Sequence, residues 1–80
     1  MEIKIGSVVR SKAGHDSDGL FAVTAAEGRY VYICDGKERP LEKPKRKNRI
    51  HLFVTKKVLS GSDMETNRKL KKALSEIQGS

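Results

Sequence analysis

The chain has 80 residues, with 17 Lys and Arg against 10 Asp and Glu, a net charge of +7 and a single cysteine. One thiol excludes an intrachain disulfide framework and a Cys-only metal site. No apolar run approaches the roughly 18 residues of a membrane span, and the first residues lack the apolar stretch of a signal peptide, so a small one-domain protein of the cytoplasm is expected.

In chain order, Val8 to Lys12 reads as a strand that follows the turn-former Gly6. Gly14 to Gly19 is a polar turn cluster. Leu20 to Ala25 is an apolar strand, and Glu27-Gly28 a tight turn. Arg29 to Cys34 alternates with period two, which places Tyr30, Tyr32 and Cys34 on one face and Arg29, Val31 and Ile33 on the other. Within that run Cys34 reads as a small buried hydrophobe rather than a reactive thiol.

Asp35-Gly36 is a strong hairpin signal, so Lys37 to Leu41 is expected to return as a strand. Pro40 makes it an edge strand, because proline donates nothing to a ladder. Lys43 to Asn48 follows as a basic connector, and Ile50 to Thr55 as a last strand with Ile50, Leu52 and Val54 on one face. Gly61 breaks the chain. Ser62 and Glu65 have capping-box spacing, and Leu70, Ala73, Leu74 and Ile77 form a stripe on a helix over residues 63–78. The stripe is expected to pack on the β portion; a partner-binding helix is the alternative. The fold is therefore mainly β: about five short antiparallel strands in a small closed or half-closed barrel over residues 1–58, with an amphipathic α-helix within 62–78.

No catalytic constellation is visible. His15, His51, Cys34 and scattered carboxylates match no nucleophile or acid–base motif. His15 with Asp16 and Asp18 lacks the glycine turn and closing Glu of a calcium loop, and no phosphate-cradling glycine loop is present. Neither an enzyme, a cofactor, a metal site nor a small-molecule substrate is expected.

The charge is where the sequence speaks. Lys37 to Lys57 holds nine Lys and Arg against Glu38 and Glu42 and so carries the entire +7, the rest of the chain being balanced. Concentrated charge attracts polyanions, whereas dispersed charge serves solubility. At the centre of this stretch Lys43, Lys45, Arg46, Lys47 and Arg49 surround Pro44, anchored between a predicted hairpin and a predicted strand. Anchored side chains lose less freedom on binding, and such residues neutralise phosphates. With Phe21, Tyr30, Tyr32 and Phe53 mostly assigned to the core, recognition of folded RNA by shape and backbone fits better than base stacking. His51 is either a further donor to RNA or a rim residue.

Two segments carry a family resemblance. Ile5-Gly6-Ser7-Val8-Val9-Arg10-Ser11-Lys12-Ala13-Gly14-His15-Asp16, followed by Leu20-Phe21-Ala22-Val23, resembles a KOW motif. Asp35-Gly36 followed by Leu41-Glu42-Lys43-Pro44-Lys45-Arg46-Lys47-Asn48-Arg49-Ile50-His51-Leu52 resembles the second half of the same domain. Together they are similar to bacterial KOW-domain RNA-binding proteins related to a large-subunit ribosomal protein of archaea and eukaryotes, over roughly residues 3–55. The resemblance implies an SH3-like barrel, ribosomal RNA as partner, association with the ribosome or translation, and a motif loop of Gly14, His15 and Asp16 near RNA, assisted by Arg10 and Lys12. One position departs from the pattern: Asp18 stands where such proteins carry glycine, with Gly19 one residue later. A protein-interaction adaptor using the β surface or the helix is the alternative function. Duplex DNA binding is a third reading, without an evident recognition element.

Overall fold

Apolar residues at consecutive positions, rather than in strict alternation, decide this architecture. Val8 and Val9, Leu20 and Phe21, Ala22 and Val23, and Ile33 and Cys34 are each buried pairs of neighbours. Successive strand residues point to opposite faces, so the sheet they form is covered on both sides. The computed structural model describes residues 3–12 and 19–79. It contains β1 (Ser7–Ser11), β2 (Leu20–Glu27), β3 (Tyr30–Cys34), β4 (Lys45–Asn48), β5 (Leu52–Val58) and one helix, α1 (Asn67–Gly79), with 3₁₀ turns at Arg49–His51 and Ser62–Met64. The five strands form one antiparallel sheet in the order β4-β3-β2-β1-β5.

One face of the sheet presents Val8, Leu20, Ala22 and Cys34, and Leu70 and Leu74 of α1 pack on them. Of the predicted stripe, Leu70 and Leu74 are thus buried on the sheet and Ile77 packs beside them partly buried. The other face gathers Val9, Phe21, Val23, Val31, Ile33 and Leu52, with Ile3 and Val54 against them, and among the described residues no helix lies over it. The edge strands β4 and β5 are joined by the three residues Arg49–His51 alone, a 3₁₀ turn that advances only about 2 Å per residue. The sheet must therefore curl until its edges converge at that corner. Lys47 Nζ on β4 donates to Ser11 Oγ on β1 at 3.0 Å, a polar contact across the curled sheet. The pairings themselves describe an open sheet with β4 and β5 as edges.

Several local expectations are corrected. The turn between β2 and β3 has Gly28 and Arg29 at its centre, since Glu27 pairs with Tyr30. Gly28 has φ +59°, which suits a two-residue hairpin with glycine in its first central position. Lys37 to Leu41 is not a strand. Asp35 Oδ1 accepts from the N–H groups of Lys37 and Arg39, both at 2.9 Å. Asn67 Oδ1 accepts from Leu41 N–H at 2.7 Å. Side chains have taken the donors that a ladder would need, and local bonds of this kind compete with sheet formation. The partner of β3 is instead the basic connector: Lys45, Arg46, Lys47 and Asn48 pair with Ile33, Tyr32, Val31 and Tyr30. The last strand starts at Leu52, not Ile50, because Asn48 Oδ1 accepts from Ile50 N–H at 3.1 Å and opens the 3₁₀ turn.

The helix begins at Asn67 rather than at residue 63. A reciprocal pair of bonds forms two residues earlier than the expected cap: Asp63 N–H donates to Ser60 Oγ at 3.3 Å while Ser60 Oγ donates to Asp63 Oδ2 at 3.0 Å. The 3₁₀ turn Ser62–Met64 itself has Gly61 at its N-cap and takes no side-chain cap bond. The helix proper is capped by Thr66, whose Oγ1 accepts from Lys69 N–H at 3.1 Å.

Candidate nucleic-acid interface

The corner between β4 and β5 organises the charged surface. The Arg49–His51 turn is pinned on one side by Arg49 N–H donating to the Arg29 carbonyl at 2.8 Å, with Arg49 Nη1 also donating to the Gly28 carbonyl at 3.4 Å. On its other side Lys12 N–H donates to the His51 carbonyl at 2.9 Å. Backbone bonds therefore tie three segments together: the β2–β3 hairpin, the turn and the end of β1. Their side chains form one ridge in which Arg29, Arg49, His51 and Lys12 are all exposed.

Each flank of the ridge adds a basic residue next to an aromatic one. Arg46 lies with its guanidinium carbon 4.8 Å from the centroid of the Tyr30 ring, within cation–π range. At the other flank Arg10 on β1 is the register partner of Phe53 on β5; such pairs hold their Cβ atoms about 4.5–5.5 Å apart. Phe53 is 61% exposed and Ile50, at the crest of the turn, 67%. Glu27, the register partner of Tyr30, is an acid adjoining this surface through the ladder.

The expected RNA-binding residues divide. Arg10, Lys12, Arg46, Arg49 and His51 come together on the ridge. Lys47 is half-buried and engaged with Ser11, so its ammonium helps hold the curled sheet. Lys45 is half-buried on the same face of β4, and Lys43 is exposed before the strand, at the end remote from the turn. Gly14 and His15 of the motif loop, with Asp16 and Asp18, lie outside the described residues. Composition assigns most of the four aromatics to the core, but Phe21 alone is buried, and Tyr30 and Phe53 reach the surface. A signal for Phe53 existed. With Leu52 and Val54 inward, strict alternation turns Phe53 outward.

Cys34 is fully buried between sheet and helix. Burial, reinforced by the charges of Asp35 and Glu42, pushes its thiol up to about 11, so the thiolate needed for chemistry is scarce at neutral pH. Among the described residues no group of three His, Cys, Asp or Glu side chains is placed to hold a metal ion, and no helix is long and apolar enough to cross a membrane. No protein-family model matches the chain, and no curated protein matches it.

Proposed function

We propose that this protein is a cytoplasmic RNA-binding module, associated with the ribosome or translation, that grips the phosphates of a folded RNA with the ridge around Arg49–His51. The observation that carries this reading is that the basic run is an ordered strand and turn, held by the β3 ladder and by the bonds of Arg49 and Lys12. It is not a loose charged tail. Preordered cations lose little entropy when they meet phosphates, and each neutralised phosphate releases condensed counterions. The likeness of residues 3–55 to KOW-domain proteins supports ribosomal RNA as the class of target.

Lysines on an edge strand also discourage edge-to-edge association, and that role makes a different prediction. Replacing Lys12, Arg46 and Arg49 together by Ala is expected to weaken binding to a structured RNA and to lower its log–log salt slope by roughly two to three units. The check is fluorescence anisotropy over a salt series, with sedimentation to detect association. Unchanged affinity and slope, with aggregation alone, would assign the basic strand to edge protection. The adaptor reading is separated by the wild-type protein: it predicts no binding to RNA at physiological salt without a protein partner.

A further inference from the structure

The ridge carries more than charge. Three of the large hydrophobic side chains exposed by this chain, Tyr30, Ile50 and Phe53, lie on it, amid Arg10, Lys12, Arg29, Arg46, Arg49 and His51. A surface built only to meet phosphates gains nothing from a phenylalanine in water. Nor does an RNA duplex offer such a ring a counterpart, because its bases are stacked inside the helix and its major groove is too narrow for side chains to read. Unpaired bases do offer one, since every base presents a π-face to an aromatic ring or an arginine plane.

We infer that the ridge takes unpaired nucleobases between its phosphate contacts, with Tyr30 and Phe53 as the two stacking surfaces. This inference rests on the RNA-binding reading and deepens it: the target is an RNA that exposes a loop or bulge, not a continuous duplex. The geometry gives each surface a cationic neighbour. Arg46 orders the Tyr30 ring from one side and leaves that residue 38% exposed. Arg10 stands beside Phe53 across the β1–β5 ladder. The turn between them presents Arg49 and His51 outward, where the backbone linking two stacked bases would pass. The concentration of positive charge also argues against the other occupant of an exposed apolar patch, a second copy of the chain, because two such ridges repel each other.

The test compares an RNA hairpin with a single-stranded loop against a blunt RNA duplex of equal length, by anisotropy at physiological salt. The hairpin is expected to bind roughly tenfold more tightly, and Phe53→Leu and Tyr30→Leu each to reduce hairpin affinity by about tenfold and so to erase most of the preference for hairpin over duplex. Both side chains are exposed, so circular dichroism is expected to show the fold intact. The chain has no tryptophan, and Phe53→Trp is expected to retain affinity and to lose emission on binding the hairpin but not the duplex. Equal binding of the two RNAs, with both leucine variants unaffected, overturns the stacking inference and leaves the phosphate reading standing. So does a Phe53-dependent dimer whose RNA affinity ignores Phe53→Leu. Failure to bind either RNA overturns both.

Discussion

Leu70→Ala is expected to lower the unfolding free energy by about 3–5 kcal/mol. Leu70 is completely buried and sits in the cluster formed by Val8, Leu20, Ala22, Cys34 and Leu74. Its replacement removes transfer energy and leaves a cavity. Ala22 and Cys34 are too short to fill that space, so relaxation recovers little of the loss. A domain of this length has a total stability of about 4–12 kcal/mol, and one leucine thus governs a large share of it. Urea denaturation checks the result: the midpoint should fall sharply with an unchanged slope. A loss below about 1 kcal/mol would mean that α1 is not docked on the sheet as described.

Gly36→Ala is expected to cost about 2–5 kcal/mol, for reasons that have nothing to do with apolar burial. Gly36 has φ +79°, a conformation that costs an L-residue about 1–2 kcal/mol. A Cβ there would also run into the carbonyl oxygen of Asn67, at the start of α1. Backbone cannot rotate away as a side chain can, so the helix terminus or the loop has to shift, at a cost comparable to overpacking of about 1–3 kcal/mol. The same loop is held by Asn67, whose Oδ1 accepts from Leu41 N–H and whose Nδ2 donates to Glu42 Oε1 at 2.8 Å. Gly28→Ala is the matching control. It has positive φ but nothing within 4 Å of the added atom, so only the conformational term applies. The thermal midpoint of Gly36→Ala should lie well below that of Gly28→Ala, by about 4–8 °C for each kcal/mol of difference.

These two positions also show what was legible in the sequence. The face assignments in β3 were: period two alone placed Val31 and Ile33 opposite Cys34, and those residues lie in the two different cores. The stripe of α1 was legible too, because Leu70 and Leu74 follow helical spacing over a long segment. The loop after β3 was not. Asp35-Gly36 has the composition of a two-residue hairpin, but Asp35 has no positive φ, and its carboxylate binds the following backbone instead. The partner that completes this arrangement, Asn67, is remote in sequence, and no local pattern announces it. That misreading displaced the strand from Lys37–Leu41 to Lys45–Asn48, a segment whose four polar side chains give no hydrophobic period to detect.

The candidate site was legible as a concentration of charge and not as a surface. The expectation weighted Lys43, Lys45 and Lys47 equally with Arg46 and Arg49. Pairing with β3 then sorted them by face: Lys45 and Lys47 follow Ile33 and Val31, while Arg46 follows Tyr32. Arg10 joins through β1–β5 pairing and Lys12 through its bond to the His51 carbonyl, contacts between positions some forty residues apart. Charge counting is blind to both effects.

Crosslinking the protein to RNA in cells, with the joined positions identified on both molecules, tests the central claim most directly. The account predicts RNA crosslinks centred on Arg46 to Phe53 with a second group at Arg10 and Lys12, and nucleotides drawn from loops or bulges of a structured RNA such as ribosomal RNA. Crosslinks centred on α1, or no RNA recovered above the level of the Lys12, Arg46 and Arg49 triple-alanine variant, would contradict it.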